Sequence, residues 1–128
     1  MTSIRTAKSK GSQYEMNCKA SLMPIMPDII RLGNEGYQAQ FDLHSEAEKA
    51  SFECKRLRGI SWNQLLKFYQ KLAKLRPDEE DVYLLFKSNH QPCLVFSFDY
   101  ETTSYKIQTF EAVFETPFIK HESTRAKK

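Results

Sequence analysis

The sequence feature that most constrains the fold is the stretch FDLHSEAEKASFECKRLR at residues 41–58. Apolar and polar residues alternate on both sides of a short polar segment in its middle. Alternation with a period of two predicts β-strands, and a polar segment between two such runs predicts a β-hairpin. A turn centred between Ala47 and Glu48 places Asp42 directly opposite Glu53, which fixes the register of the hairpin.

This register divides the side chains of the hairpin between two faces. The apolar face is predicted to contain Phe41, Leu43, Phe52 and Cys54, and the polar face Asp42, Glu53 and Lys55. Directly opposed residues have Cβ atoms roughly 4.5–5.5 Å apart, so two opposed carboxylates destabilise the strand pair. A divalent cation between them removes this conflict.

The opposed carboxylates are therefore a candidate metal site. Mg²⁺ binds carboxylate oxygens while it keeps several waters, and Mn²⁺ accepts the same hard ligands. Lys55 follows Glu53 by two residues and is expected on the same face, where its ammonium group can orient a water or offset developing negative charge. The sequence thus predicts a metal site with hydrolytic potential.

Length and composition limit the kinds of fold that can contain this site. A chain of 128 residues suits one domain, and its 41% hydrophobic and 12% aromatic content excludes global disorder. We expect a flexible basic arm over residues 1–10, a single folded domain over 11–116 and a polar basic tail over 117–128. The net charge of +3 permits nucleic acid as a partner without identifying one.

Two further patterns bear on the compartment. The sequence has no apolar run near the length of a membrane span and no signal peptide at its polar N-terminus, so we expect a cytoplasmic protein with no membrane partner. Its three cysteines, Cys18, Cys54 and Cys93, show neither CxxC nor Cys/His spacing. They predict reduced thiols and not a disulfide framework or a zinc site.

The folded part is predicted to begin with a helix over about residues 11–23. Tyr14, Cys18 and Leu22 recur at i, i+4 and i+8 and are expected to form its buried stripe. Ser12 and Glu15 have capping-box spacing, so a simple capping role for Glu15 stands beside any role in a metal site.

Six strands and a second helix are predicted after this helix. The strands cover residues 28–32, 37–44, 50–57, 82–87, 93–98 and 105–113, and the helix covers 62–75 with Ser61 as its cap. The run at 82–87 follows Pro77 and three acidic residues, which is also a helix start, but its short aromatic and apolar composition favours a strand. The predicted order is α-β-β-β-α-β-β(-β), an α/β (α+β) fold.

The helix at 62–75 is apolar over more than one stripe. We expect it to bury one side against the sheet and a second side against another subunit. Lys67, Lys71 and Lys74 line a separate face at i, i+4 and i+7. These three lysines are expected to form either a solvated face or a face that binds phosphates.

The motifs KGSQYE, FDL, FECKR and WNQLLKFYQKL, in this order, resemble the PD-(D/E)xK nuclease superfamily, and within it the small archaeal and phage Holliday junction resolvases. The resemblance extends over about residues 8–111. It implies a restriction-endonuclease-like fold, in which a mixed central sheet is flanked by helices, and a prokaryotic or phage origin. The chain departs from the motif's name because no proline precedes Asp42; the literal pair Pro27-Asp28 makes Asp28 a rival ligand.

The resemblance also implies roles for individual residues. Asp42 and Glu53 match the metal ligands, Glu15 the first-helix glutamate that joins the metal site, and Lys55 the active-site lysine. The implied cofactor is Mg²⁺ or Mn²⁺. DNA contacts are expected from Lys8, Lys10, Lys19, Arg56, Arg58, Gln64, Lys67 and Lys71.

The implied activity is metal-dependent endonucleolytic cleavage of four-way DNA junctions in recombination, repair or phage DNA processing, with 5′-phosphate and 3′-hydroxyl products. A homodimer supplies the two sites that symmetric cleavage needs. Its candidate interface is the second apolar side of the helix at 62–75 with the edge strand at 105–113. The alternatives are a related nuclease that acts on ends, nicks or mismatches, and a non-catalytic nucleic-acid-binding module of the same fold.

Overall fold

A computed structural model describes residues 13–32, 41–59, 61–75, 81–99, 101–102 and 104–119. In these ranges the chain forms three helices and six strands. They are α1 (residues 13–22), β1 (Ile30–Arg31), β2 (Leu43–Ser45), β3 (Ala50–Leu57), α2 (Trp62–Leu75), β4 (Asp81–Ser88), β5 (Leu94–Asp99), β6 (Ser104–Thr109) and α3 (Phe110–Phe114). This is the predicted order of elements, with one short helix added at its end.

The six strands form one mixed sheet in the order β1-β2-β3-β4-β5-β6. Neighbouring strands are antiparallel except β3 and β4, which are parallel. Because parallel neighbours need a long crossover connection, α2 lies between them in the chain. The α/β class with a mixed sheet is thus confirmed.

The β2–β3 hairpin has the predicted register. Leu43 pairs with Phe52 and Ser45 with Ala50. The alternation of apolar and polar residues was therefore sufficient to align these strands. The paired register ends at Leu43, so the predicted pairing of Asp42 directly opposite Glu53 is not formed.

Helices cover both faces of the sheet, with α1 and α3 on one face and α2 on the other. The α1-side core includes Tyr14, Cys18, Leu22, Leu43, Phe52, Cys54, Leu85, Phe110 and Phe114. The α2-side core is formed by Phe41, Leu65, Val82, Leu84, Phe86 and Phe96. The predicted buried stripe of α1 is confirmed. Strand β4 contributes to both cores, which explains why its sequence is apolar almost throughout.

The three cysteines lie together in the α1-side core. Cys18 is on α1, Cys54 on β3 and Cys93 just before β5, and all three thiols are free and buried. Cys18 is close enough to both of the others for side-chain hydrogen bonds, and the Tyr14 hydroxyl lies 3.3 Å from the Cys93 Sγ. These thiols join three distant parts of the sequence.

The prediction that Phe41 shares a face with Leu43 is wrong, because Phe41 packs in the α2-side core. The chain bends at residues 41–42, and the Asp42 amide donates to the Phe52 carbonyl at 2.8 Å, whereas the predicted register pairs Asp42 with Glu53. A one-residue offset of this kind is typical of a β-bulge, which turns side chains to the opposite face.

The prediction of a strand through residue 113 is also wrong, since β6 ends at Thr109. The Thr109 hydroxyl caps α3 by accepting a hydrogen bond from the Ala112 amide at 3.2 Å. Phe110 and Phe114, one helical turn apart, then enter the α1-side core. Thr109 as an N-cap followed by this apolar pair is the signal that would have predicted the helix.

The folded domain continues into the segment predicted as a tail. The Phe118 ring lies 5.3 Å from that of Phe110, and the Ile119 amide donates to the Ser21 hydroxyl at 2.7 Å. The predictions made for residues 1–12, 33–40, 76–80 and 120–128 fall outside the described residues. In the described part of the chain, the helices are too short or too polar to cross a membrane.

Candidate active site

Asp42 and Glu15 form the first half of the candidate site. Asp42 precedes β2, and its Oδ2 accepts a hydrogen bond from the Cys54 amide at 2.7 Å. Glu15, on α1, is close enough to Asp42 for a side-chain hydrogen bond. Burial raises the pKa of Asp42 above its ordinary value, the Cys54 amide opposes this shift, and the negative charge of Glu15 adds to it.

Glu15 is held from the other side by β1. The Arg31 Nη2 donates to its Oε1 at 2.9 Å. Because Arg31 and Glu15 are both partly exposed, this ion pair stabilises the fold only weakly. Its effect is to position the Glu15 carboxylate beside Asp42. No sequence pattern pointed to Arg31, which lies in a short predicted strand with no motif of its own.

Glu53 forms the second half of the site on the α2 side of the sheet. Its side chain is 4% exposed, and its two oxygens accept hydrogen bonds from the Lys71 ammonium at 2.8 and 2.9 Å. The Lys55 Nζ lies 3.6 Å from Glu53 Oε2 and 5.8 Å from the centre of the Phe68 ring. A buried carboxylate is costly without such partners, so the two lysines offset the cost of burying Glu53 inside the fold.

Lys55 connects the two halves. It contacts Glu53, and its positive charge partly opposes the rise in the pKa of Asp42 that burial causes. The four predicted catalytic residues therefore lie in one neighbourhood, but Asp42 contacts α1 whereas Glu53 contacts α2. Within the described ranges, no three His, Cys, Asp or Glu side chains form a group that could hold a metal ion.

The chemistry of the Glu15–Asp42 pair fits a hard divalent cation. Two carboxyl groups in contact repel each other when both are charged, which is one reason the pKa of Asp42 is raised. Carboxylate oxygens are the ligands that Mg²⁺ and Mn²⁺ accept. Glu53 is not part of this pair, and both of its oxygens are bonded to Lys71.

Asp28, the rival ligand, is engaged elsewhere. Its carboxylate accepts hydrogen bonds from the Ser45 hydroxyl at 2.7 Å and the Ala47 amide at 2.9 Å. Both donors lie at the turn end of the hairpin. Asp42 precedes Ser45 by three residues. At 3.4 Å per residue, it lies about 10 Å further from the turn than Ser45 does. Asp28 therefore stabilises the β2–β3 turn.

We expect Asp28→Asn to lower the melting temperature at neutral pH and to leave the candidate site intact. The Ala47 and Ser45 hydrogen bonds lower the pKa of Asp28 below its ordinary value of 3.8. A lowered pKa adds stability above pH 3.8 that is lost as the pH falls through the lowered value. The difference in melting temperature from the wild type should therefore shrink in strong acid, as thermal unfolding followed by circular dichroism would show. An equal difference at all pH values would contradict this role.

Besides Lys71, two of the residues predicted to contact DNA have hydrogen-bond partners within the protein. Gln64 forms a capping box with Ser61: its Oε1 accepts from the Ser61 amide, and its own amide donates to the Ser61 hydroxyl, both at 3.3 Å. Arg56 donates to the Asn89 side chain at 2.6 Å. Gln64 therefore fixes the start of α2.

The other predicted DNA contacts are distributed over the surface. Arg58 and Lys67 are exposed, Lys19 is half-buried, and Lys8 and Lys10 lie outside the described residues. Lys71 is the exception because it contacts Glu53. This contact was missed because the two residues are far apart in sequence and meet only when α2 packs on the sheet.

Comparison with known proteins found no matching family model, no matching curated protein and no matching solved structure. The interpretation of the site therefore depends on its own residues.

Proposed function

We propose that this chain is a metal-dependent, structure-specific DNA endonuclease of the PD-(D/E)xK type that resolves four-way junctions. The observation that carries the proposal is the arrangement of the hairpin with α1. The Cys54 amide of β3 bonds the Asp42 carboxylate, Glu53 and Lys55 flank Cys54 on the same strand, and Glu15 reaches Asp42 from α1.

The topology supports a restriction-endonuclease-like fold. A helix precedes three antiparallel strands that pair in chain order, and a crossover helix leads to a fourth strand parallel to the third. This is the element order that the resemblance implies. It brings the first helix and the hairpin together, as a site built from both requires.

In the proposed mechanism, Asp42 and Glu15 would hold the cation on the α1 side of the hairpin. A bound Mg²⁺ or Mn²⁺ supplies an acidified water and polarises a phosphate oxygen. The Cys54 amide fixes the orientation of the Asp42 carboxylate. Lys55 aligns the attacking water and offsets the negative charge that develops on the phosphate.

Exposed basic side chains near the site supply the proposed DNA contacts. Arg58 follows β3, and Lys67 and Lys74 lie on the exposed face of α2. Contacts of this kind bind the phosphate backbone without reading bases, so junction affinity should fall steeply with salt.

The proposed homodimer uses the edge strand β6. All six residues of β6 are exposed, and an apolar patch of Trp62 (51% exposed), Tyr105 (37%) and Ile107 (40%) lies along it. The ring centres of Trp62 and Tyr105 are 5.5 Å apart. An exposed strand edge with an apolar patch is suited to pairing with a second copy.

We expect Ile107→Asp to convert the dimer to a monomer, because it places a charge in the centre of the proposed apolar contact. Size-exclusion chromatography with light scattering would measure the mass. Met16→Asp, at an equally exposed position on α1, is the control and should leave the dimer intact. An unchanged mass for Ile107→Asp would place the interface elsewhere.

The function is tested by incubating the protein with labelled four-way junction, linear duplex and single-stranded DNA, in Mg²⁺ and in EDTA. Paired symmetric nicks in the junction alone, absent in EDTA, are the expected result. Cleavage of every substrate would support the nuclease activity but contradict its specificity for four-way junctions.

One observation favours a second function, a non-catalytic nucleic-acid-binding module. Lys71 and Lys55 already neutralise Glu53, so the buried carboxylate does not require a metal. Junction binding that is independent of divalent metal, without cleavage under any condition, would favour this function.

A further inference from the structure

One hydrogen bond at the end of β6 shows which backbone groups of this strand point away from the sheet. In the described part of the chain, β6 is the last strand of the sheet and pairs with β5. The Phe110 amide, directly after β6, donates to the Cys93 carbonyl at 3.0 Å. Hydrogen-bonded and non-hydrogen-bonded residues alternate along an antiparallel pair. The residues whose N–H and C=O groups point away from β5 are therefore Tyr105, Ile107 and Thr109.

The two faces of β6 differ in polarity, although all its residues are exposed. Ile107 pairs with Phe96 of the α2-side core. Tyr105 stacks on the same phenylalanine, with ring centres 5.2 Å apart. Lys106 and Gln108 alternate with these residues and point to the α1 side. The strand is thus apolar on the α2 side and polar on the α1 side.

A second copy of the chain matches this strand edge. When two β6 strands run antiparallel about a two-fold axis perpendicular to the sheet, both α2 sides stay on the same side of the joined sheet. Apolar surface then meets apolar surface, and polar surface meets polar surface. The outward N–H groups of each strand also meet the outward C=O groups of the other. An isologous contact of this kind requires no other partner.

The charge of Lys106 selects the register of the two strands. Because outward-pointing residues must pair with each other, the axis passes through residue 106, 107 or 108. An axis at Lys106 places two ammonium groups directly opposite each other, which destabilises a strand pair. An axis at Gln108 pairs only residues 107–109, since α3 begins at Phe110. An axis at Ile107 pairs residues 105–109 and places Lys106 opposite Gln108, whose amide oxygen can accept a hydrogen bond from the ammonium.

We propose that two copies of this chain join through β6 into one continuous sheet, with the two-fold axis at Ile107. Tyr105 then faces Thr109 of the partner subunit, and aromatic residues pair favourably with β-branched ones. This inference rests on the homodimer of the proposed function and adds its geometry. Both candidate sites lie on the α1 side of the joined sheet, and the two β3 strands are roughly 34 Å apart at about 4.8 Å per strand.

The register is tested by oxidative cross-linking with copper phenanthroline, followed by gel electrophoresis without reductant. The double variant Lys106→Cys/Gln108→Cys should form a covalent dimer. Residues 106 and 108 face each other across the axis as a non-hydrogen-bonded pair with Cα atoms about 4.5 Å apart, which a disulfide can span. Neither single variant should cross-link, because neither residue faces its own copy. The wild type, whose three cysteines are buried, is the control.

The outcomes separate the register, the dimer and the nuclease. A covalent dimer of either single variant would move the axis to that residue and overturn the register. A dimeric mass by light scattering, with no cross-link in the double variant, would overturn the β6 contact and leave the homodimer. A monomeric wild type would overturn both. Because both substitutions are at exposed positions, the variants should fold, as circular dichroism would show. Junction cleavage by the same wild-type sample tests the nuclease independently.

Discussion

Glu53→Gln is expected to abolish junction cleavage, with a loss of at least roughly 10²–10³-fold, the usual effect of removing one electrostatic group from an active site. Glutamine has the shape of glutamate and retains an oxygen that can accept a hydrogen bond from Lys71. It lacks the negative charge that attracts a divalent cation. Folding and junction binding should therefore persist while chemistry stops, which single-turnover cleavage and anisotropy on the same sample would show.

The hairpin supplies a matched control for this variant. Glu48→Gln makes the same chemical change in the exposed turn of the same hairpin and should cleave like the wild type. Asp42→Asn should be as inactive as Glu53→Gln, and Asp28→Asn should be active. Cleavage by Glu53→Gln at the wild-type rate would show that Glu53 is not a catalytic residue. An inactive Asp28→Asn together with an active Asp42→Asn would show that Asp28, and not Asp42, is the metal ligand.

Phe52→Ala is expected to have the largest effect on stability. Phe52 is fully buried in the centre of β3, with its ring stacked on Tyr83 at 5.3 Å and tilted against Phe114 at 6.1 Å. Truncating a buried phenylalanine costs about 3–5 kcal/mol, because transfer energy is lost and a cavity remains. This is a large fraction of the roughly 5–15 kcal/mol that stabilises a typical domain.

Urea denaturation would measure this loss as a lower midpoint with an unchanged slope. Met16→Ala, on the exposed side of α1, is the control and should change stability by less than about 0.5 kcal/mol. A loss for Phe52→Ala as small as that of the control would mean that the β3 core is not packed as described.

The sequence was most informative where local patterns decide the structure. The period-two alternation predicted the bounds of β3 and its register with β2, and the apolar run of α2 with Ser61 as its cap predicted that helix. The short length of the run at 82–87 correctly favoured a strand over a helix. In each case, neighbouring residues alone carried the signal.

The sequence was least informative where the structure depends on a single offset or on distant partners. The bulge at Asp42 turns the Phe41 side chain to the α2 side of the sheet. A pattern with a period of two cannot predict where such a one-residue shift occurs. Lys71 belongs to a regular polar stripe, so only the packing of α2 on the sheet reveals its contact with Glu53. The sequence thus named the residues of the candidate site but not the contacts that they make.

The buried thiols can be used to measure how often the fold opens locally. Burial raises the pKa of Cys18 and Cys54, and thiols react mainly as thiolates that a reagent can reach. A maleimide should therefore label them only when α1 separates from β3. The rate of labelling would report how often α1, which carries Glu15, separates from β3, and a cation bound between Glu15 and Asp42 should slow it.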